Sequence, residues 1–247
     1  MRSAVYDKIL RSSKKRHTQF AVLIDPDKSD RLSQVIKESE AAEVDYFFVG
    51  GSLLTSNCLD QCILEIKNSS DIPVVLFPGS VLQITPKADA ILFLSLISGR
   101  NPDLLIGKHV VSAPILKSSH LEILSTGYVL IDGGKPTTAS YISNTQPVPF
   151  DKEDIAACTA MAGEMLGLKL IYMDTGSGAL NPVSDRMIKK VKKNISIPLI
   201  VGGGIKTPEN AYKVGKAGAD IIVVGNAIEN NISLIKKISK VIKKLNQ

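Results

Sequence analysis

Two apolar runs near the end of the chain each stop at glycine. Residues 197–201 lead into Gly202, Gly203 and Gly204, and residues 219–224 lead into Gly225 and Asn226. A buried parallel strand that ends in glycine leaves backbone N–H groups free, and such groups beside a helix start bind phosphate. In (β/α)8 barrels a phosphate site follows the last two strands. The pattern favours such a site over glycines that only make tight turns.

A third glycine-rich turn follows the apolar run that precedes these two strands. It reads Tyr172-Met173-Asp174-Thr175-Gly176-Ser177-Gly178. Asp174 is a candidate acceptor for the proton of a substrate hydroxyl, which would make it a general base. Tyr172 is a candidate donor to a phosphate. Because neighbouring strands of a barrel end at the same rim, the three turns are expected on one side of its mouth.

Carboxylates follow the first predicted strand. Asp25 and Asp27 stand two residues apart beside Lys28. Mg²⁺ prefers oxygen ligands and bridges phosphates, so this triplet suits Mg²⁺ and a diphosphate. The alternative for Asp27 is that it caps the next helix. Ser52, just after a glycine pair that ends the second predicted strand, is a weaker candidate ligand of the kind found in P-loops.

Alternating strand and helix patterns must position these residues. Strands are predicted at 20–25, 46–50, 74–77, 90–94, 128–132, 168–174, 197–202 and 220–225, and helices at 31–42, 57–68, 101–108, 153–166, 184–194, 208–217 and 231–245. This order predicts parallel βαβ units. The 247 residues match the roughly 250 of one barrel, so we expect an α/β fold, a single (β/α)8 TIM-barrel domain over residues 1–247.

Three segments interrupt or flank this rhythm. Residues 78–87 hold two prolines and are too short for a full helix, so the helix after strand three should be reduced. Residues 109–115 look like a strand, but a ninth strand would not fit, and we assign them to a helix end and connector. The first fifteen residues read as a short amphipathic helix, a candidate plug for the bottom of the barrel.

Composition limits the partners of the chain. The net charge is +6, and its basic helix faces would attract anionic substrates or a membrane surface transiently. Aromatic residues make up 5% and do not alternate with basic ones, which argues against nucleic acid. No apolar run is long enough to cross a bilayer. Cys58, Cys62 and Cys158 form no metal-ligand pattern and predict reduced thiols in a cytoplasmic protein.

At these residues the sequence resembles the geranylgeranylglyceryl phosphate synthase family, which includes bacterial heptaprenylglyceryl phosphate synthases. The resemblance runs from about residue 20 to 226. It is carried by residues 23–28, 49–52, 98–102, 172–179, 201–205 and 224–227. It implies a Mg²⁺-dependent prenyltransferase on a modified barrel with a reduced helix after strand three. The family joins a prenyl group, from its diphosphate, to the 3-hydroxyl of sn-glycerol 1-phosphate, giving an ether-lipid precursor and diphosphate.

The resemblance also assigns roles by position. Asp25 and Ser52 look like Mg²⁺ ligands. The expected sn-glycerol 1-phosphate site comprises Tyr172, Met173, Asp174, Thr175, Gly176, Ser177, Gly178, Gly203, Gly204, Gly225 and Asn226. Leu23, where the heptaprenyl branch has lysine, and the insertion at 132–136 point to the longer, geranylgeranyl-type group. Asp174 stands where the family usually has glutamate. We expect a homo-oligomer, either a dimer or a hexamer.

An apolar groove must hold the prenyl tail. Phe77, Pro78, Leu82 and Ile84, in the segment without a full helix, are candidates for it, with ordinary core or loop residues as the alternative. Two other functions stay open. A sugar-phosphate isomerase or epimerase would want histidine or paired carboxylates at strand ends, but His17, His109 and His120 fall at no convincing one. A non-catalytic prenyl- or phosphate-binding module would release no diphosphate.

Overall fold

The computed structural model describes residues 4–247, and its strands close into a barrel. Eight parallel strands pair in chain order, and the first also pairs with the last. They are β1 (Gln19–Ile24), β2 (Tyr46–Val49), β3 (Val74–Leu76), β4 (Ala90–Leu96), β5 (Glu122–Leu130), β6 (Leu170–Asp174), β7 (Leu199–Gly202) and β8 (Ile221–Val224). The predicted (β/α)8 barrel is confirmed.

Helices follow most of the strands. They are α1 (Ala4–Lys14), α2 (Leu32–Ala41), α3 (Leu59–Ser69), α4 (Lys108–Ser118), α5 (Thr138–Ser143), α6 (Glu153–Met165), α7 (Asp185–Asn194), α8 (Pro208–Lys216), α9 (Asn226–Asn230) and α10 (Leu234–Leu245). Local signals fix several starts. The Thr207 hydroxyl caps α8 by accepting from the Asn210 N–H, and Pro208 takes the first helical position.

The strands are apolar on both faces because each face is covered. Outward-facing side chains such as Phe47, Ile171 and Ile222 pack against the helices, while Tyr46, Phe48 and other inward-facing residues fill the barrel. This double burial is typical of parallel sheets. The loops at the carboxyl ends of the strands therefore rest on a packed core.

Helix α1 closes the amino end of the barrel. Val5 and Ile9 are buried in the inner core, and the N–H groups of Val5 and Tyr6 donate to the Glu122 carboxylate at 2.8 and 2.9 Å. The plug predicted from the first fifteen residues is confirmed for Ala4–Lys14; residues 1–3 of that stretch lie outside the described residues.

The reduced helix after β3 is confirmed. A three-residue 3₁₀ turn, Val81–Gln83, stands where a barrel normally has a helix between β3 and β4. The Gln83 side chain is buried and accepts from the Gly79 N–H at 3.1 Å while donating to the Gly51 carbonyl at 2.9 Å. One glutamine thus holds the loops after β2 and β3 together without a helix.

The largest errors of the sequence-based prediction lie in the next two units. The predicted helix 101–108 was too short: a π-helical turn, Asp103–Gly107, continues into α4, which contains the strand-like residues 109–115. Strand β5 begins at Glu122, six residues before its predicted start, and α5 was missed.

A smaller error lies at the end of the chain. The predicted helix 231–245 begins only at Leu234, after the separate short helix α9.

Within residues 4–247, none of the helices combines the length and the apolarity needed to span a membrane.

Candidate active site

A cavity of about 1030 Å³ opens at the carboxyl ends of the strands. Its polar wall comes from the loops after β1, β2, β6, β7 and β8, and comprises Asp25, Lys28, Ser52, Asp174, Gly176, Ser177, Gly178, Gly203, Gly204, Gly225, Asn226 and Glu229. Its apolar wall comes from the β3–β4 connection, β4, α4 with the turn before it, and α5, and comprises Phe77, Pro78, Val81, Ile84, Phe93, Leu94, Leu96, Leu104, Leu116 and Ile142.

The cavity brings together nearly all of the residues predicted for the site. Met173 and Thr175 are the exceptions and do not line it. Met173 alternates to the outer face of β6 and packs in the core beneath the helices. The Thr175 side chain is buried beside Gly203, and its hydroxyl oxygen has no hydrogen-bond partner within residues 4–247.

Positive-φ glycines shape the polar wall. Gly176, Gly178, Gly203 and Gly204 have φ between 66° and 83°, a region that other residues enter only at a cost. At Gly203 there is also no room, because a Cβ atom would lie 2.5 Å from Asp174 Oδ1. These turns need glycine for both their backbone angles and their close packing.

The same turns leave anion-binding groups free. Within residues 4–247, the N–H groups of Ser177, Gly178, Gly203 and Gly204 find no acceptor. The Ser177 hydroxyl and Asn226 Oδ1 lie 2.7 Å apart and tie the β6 turn to the β8 turn. Free N–H groups of neighbouring turns can form an anion site, and these turns line one cavity, which supports the phosphate site predicted from the glycine pattern.

Asp174 is a buried carboxylate with both oxygens hydrogen-bonded. Its side chain is 6% exposed, Oδ1 accepts from the Gly176 N–H at 2.7 Å, and Oδ2 accepts from the Tyr128 hydroxyl at 2.7 Å. Burial raises the pKa of Asp174 above its usual value, and the two hydrogen bonds oppose that rise. The carboxylate is therefore fixed in position and more basic than an exposed aspartate.

Sequence reasoning missed Tyr128 as a site residue. In the register of β5 and β6, Tyr128 lies opposite Tyr172, so the two rings share the inner face of the barrel. The signal was the alternation of Leu124, Thr126 and Tyr128, which is visible only once β5 is known to begin at Glu122. Burial raises the pKa of both tyrosines, so their hydroxyls stay protonated.

Three aromatic rings form the floor where the two walls meet. Phe77 stacks on Tyr172 with ring centroids 5.1 Å apart, and Tyr128 lies 6.1 Å from Phe77 and 5.5 Å from Tyr172. The Tyr172 hydroxyl lies against Gly202, at the start of the β7 turn, where an added Cβ would be 2.6 Å away. Polarisable ring faces thus lie beside the anion-binding turns.

Asp25 and Asp27 do different things. Asp25 caps the 3₁₀ turn Pro26–Lys28 by accepting from the Asp27 N–H at 3.1 Å, and it lines the cavity. Asp27 accepts hydrogen bonds from the backbone and hydroxyl groups of Thr55 and Ser56. Those bonds, the Ser56 hydroxyl first, hold the pKa of Asp27 well below its usual value. Asp27 thus fastens the loop that carries Ser52.

The donor set fits Mg²⁺ as a site that water and substrate phosphates would complete. Within residues 4–247 there is no cluster of three or more His, Cys, Asp or Glu side chains that could hold a metal. Asp25 and Ser52 supply a carboxylate and a hydroxyl to the same cavity. Mg²⁺ is typically held by one or two carboxylates together with water and substrate phosphates, and this pair of hard oxygen donors matches that pattern.

Only part of the predicted apolar groove is correct. Phe77, Pro78 and Ile84 line the cavity. Leu82 does not: the 3₁₀ turn directs it outward, where it is 89% exposed. The prediction missed the rest of the wall, which comes from β4, from α4 with the turn before it, and from α5. One sequence signal could have indicated that α4 lines an apolar cavity. The helix is apolar on more than one face, with Leu116 buried and Val111 exposed.

His109 lines the cavity from α4, not from a strand end. Its ring meets Phe93 edge-on with centroids 4.4 Å apart, and Nδ1 has no hydrogen-bond partner in the described part of the chain. Burial lowers the pKa of His109. Its surroundings are apolar, so the site shows no histidine poised beside the anion-binding turns.

Comparison with known proteins places this cavity in context. Residues 11–244 match the model of the PcrB family. A geranylgeranylglyceryl phosphate synthase of Chitinophaga pinensis is 58% identical over 241 residues, which cover 97% of this chain and 96% of that protein. One of Thermofilum pendens is 37% identical over 246 residues, covering 98% and 95% respectively.

A solved structure agrees in fold as well. The crystal structure of (S)-3-O-geranylgeranylglyceryl phosphate synthase from Thermoplasma acidophilum, in complex with its substrate sn-glycerol-1-phosphate, has a TM-score of 0.91 to this chain. The two are 34% identical, and the match covers 97% of this chain and 98% of that one.

Proposed function

The chain belongs to the PcrB family, and we propose that it is a geranylgeranylglyceryl phosphate synthase. It joins a prenyl group, from its diphosphate, to the 3-hydroxyl of sn-glycerol 1-phosphate and releases diphosphate. One observation carries this reading: a single cavity combines anion-binding turns and an apolar wall that meet at a buried carboxylate and three aromatic rings.

The polar wall would bind the acceptor substrate. The free N–H groups of Ser177, Gly178, Gly203 and Gly204 receive its phosphate. Fixing the phosphate there turns the glycerol toward Asp174, whose position is set by Gly176 and Tyr128. The raised pKa of Asp174 suits it to accept the proton of the 3-hydroxyl.

The first two strand ends would bind the donor. Asp25 and Ser52 would hold Mg²⁺ against the diphosphate. When bound, that ion neutralises charge on the leaving group. The C1–oxygen bond to the diphosphate breaks with its electron pair on the diphosphate, the glycerol oxygen bonds to C1, and the hydroxyl proton passes to Asp174.

Two further features suit an allylic transfer. The rings of Tyr128, Tyr172 and Phe77 line the cavity between the two walls, and aromatic rings there would stabilise positive charge that develops at C1. The apolar wall continues from these rings along β4 and α4, past Leu94 and Leu116, and would shelter the prenyl tail from water.

The stereochemistry of the acceptor tests this function. Purified protein is incubated with geranylgeranyl diphosphate, Mg²⁺ and labelled sn-glycerol 1-phosphate or its 3-phosphate enantiomer, and ether product and diphosphate are measured. We expect turnover with the 1-phosphate and strong discrimination against the enantiomer, because a fixed phosphate would place the enantiomer's hydroxyl away from Asp174. Equal rates would contradict the geometry. Binding without diphosphate release would favour a non-catalytic module.

The cellular setting follows from the same proposal. We expect a cytoplasmic homo-oligomer, either a dimer or a hexamer. We also expect the protein to contact the membrane surface transiently, because its product is an amphiphile. Analytical ultracentrifugation measures the assembly, and co-sedimentation with anionic vesicles measures the contact.

A further inference from the structure

A lysine bridges the seam where the barrel closes. Lys28 Nζ lies 3.1 Å from Glu229 Oε2 and 3.3 Å from Asp25 Oδ2. Asp25 follows β1 and Glu229 lies on α9 after β8, and these two strands are paired neighbours. All three side chains line the cavity. One ammonium group therefore stands between two carboxylates, of which one is the proposed metal ligand.

The charges of Lys28, Asp25 and Glu229 do not cancel. Two carboxylates face one ammonium, which leaves this group of three with one net negative charge before any ligand binds. Lys28 lies against Asp25 Oδ2, whereas Oδ1 already accepts from the Asp27 N–H, so Lys28 and a metal ion would compete for the same carboxylate. Lys28 is half exposed at 49%, and ion pairs at such positions are weak. The ammonium group, on a flexible stem, can therefore exchange partners.

We propose that Lys28 pairs with Asp25 in the free protein and turns to the diphosphate oxygens when the prenyl donor binds, while Glu229 keeps the ammonium group at the mouth. The inference rests on the proposed function, which brings a diphosphate to Asp25. Lys28 is then a diphosphate-binding residue. Glu229 is a positioning residue, acting through Lys28.

This arrangement has a consequence that a merely structural ion pair lacks. In the free protein Lys28 competes with a metal ion for Asp25, so its removal strengthens metal binding. In the complex Lys28 binds the diphosphate, so its removal weakens diphosphate binding. Without Glu229, Lys28 pairs with Asp25 alone. It then competes more strongly with a metal ion for that carboxylate, so metal binding weakens.

The test measures binding without turnover. Mn²⁺ affinity of the free protein is followed by electron paramagnetic resonance, and affinity for inorganic pyrophosphate with Mn²⁺ present is followed by calorimetry. For Lys28→Gln we expect the Mn²⁺ Kd to fall about two- to five-fold and the pyrophosphate Kd to rise about ten-fold or more. For Glu229→Gln we expect the Mn²⁺ Kd to rise about two- to five-fold.

Lys190→Gln is the matched control. Lys190 is 48% exposed and pairs with Asp154 at 2.8 Å, and it does not line the cavity. The Lys190→Gln substitution removes the same charge and a similar ion pair, and it should change neither the Mn²⁺ affinity nor the pyrophosphate affinity. Affinity for sn-glycerol 1-phosphate should stay unchanged in all three variants, since α9 keeps its place.

Several outcomes overturn the inference. The inference fails if Lys28→Gln weakens metal and pyrophosphate binding together, if it leaves both unchanged, or if it abolishes binding of sn-glycerol 1-phosphate. A wild-type protein without Mn²⁺ affinity overturns it too. Failure of the proposed function looks different: wild-type protein would bind Mn²⁺ and pyrophosphate yet form no ether product.

Discussion

The two walls of the cavity differ in the chemistry that they present to a ligand. The polar wall uses backbone N–H groups in loops, held by positive-φ glycines and by the Ser177–Asn226 contact. The apolar wall presents side chains of the β3–β4 connection, which holds the short 3₁₀ turn, of β4 and of the helical segments that follow. Hydrogen bonds to an anion are directional, whereas apolar burial is not. Changes in the polar wall should therefore cost far more than changes in the apolar wall.

The largest effect is expected at Asp25. Asp25→Ala removes the only carboxylate of the proposed Mg²⁺ site and should abolish turnover, by at least about 10³-fold in kcat/KM. Asp25 lies in a partly exposed loop and caps only a three-residue turn, so the fold should persist with a small fall in the melting temperature. Steady-state kinetics over a Mg²⁺ series and circular dichroism check both points. Near-normal turnover at saturating Mg²⁺ would remove Asp25 from the site.

Next in size is the carboxylate on β6. Asp174→Asn keeps the shape and loses the basicity, so kcat should fall by roughly 10²–10⁴, the range for loss of a general base. Asp174→Glu should keep substantial activity because it retains the carboxylate. Binding of sn-glycerol 1-phosphate, measured by calorimetry, should weaken much less than kcat. A loss of only a few-fold in Asp174→Asn would make Asp174 an orienting acceptor.

The backbone of the polar wall can be tested separately. Gly203→Ala places a methyl group against Asp174 Oδ1 and Thr175 at φ +76°, and should weaken sn-glycerol 1-phosphate binding about 10- to 100-fold. Gly167→Ala is the matched control: Gly167 has φ +84°, but nothing lies within 4 Å of its added Cβ. Both variants carry backbone strain, but only the first should lose affinity in calorimetry. Equal affinities would show that the turn tolerates a side chain.

Residue type made the polar wall predictable. A turn that requires positive φ selects glycine, so Gly176, Gly203 and Gly204 marked it in the sequence. The apolar wall carries no such local mark. Residues 122–127 contain serine, threonine and glycine and do not read as a buried strand, and it is pairing with β4 that makes them one. Tertiary packing likewise makes a helix of the valine-rich segment in α4.

The fold, too, was predictable where the signal is local in the sequence and unpredictable where it depends on tertiary contacts. Alternating apolar runs predicted the closed barrel, and two prolines predicted the missing helix after β3, because both signals are local. The role of Asp27 was not predictable. Its hydrogen bonds reach Thr55 and Ser56, which only the closed barrel brings near. Leu82 was misplaced because the sequence does not show which way a short 3₁₀ turn points each side chain.

A smaller effect is expected from the partner of Asp174. A base must be ionised, so activity should fall as the pH drops through the raised pKa of Asp174. The Tyr128 hydrogen bond lowers that pKa. Tyr128→Phe should therefore move the acid limb of kcat to higher pH, by about one unit, with little loss on the plateau. A limb that stays in place would show that Asp174 does not set it.

The smallest effect is expected on the apolar wall, and its pattern matters more than its size. Ile142 lines the wall from α5 and is 44% exposed, so Ile142→Ala removes part of one nonpolar contact with the tail. We expect the KM for prenyl diphosphate to rise about two- to ten-fold. Inorganic pyrophosphate and sn-glycerol 1-phosphate should bind as before, since neither has a tail. Ile155→Ala, on α6 with a 50% exposed side chain outside the cavity, should change nothing. Weaker binding of the glycerol phosphate by Ile142→Ala would contradict this comparison. A truncated nonpolar side chain would then have disturbed backbone hydrogen bonds on the opposite side of the cavity, so the two walls would not act as separate recognition surfaces.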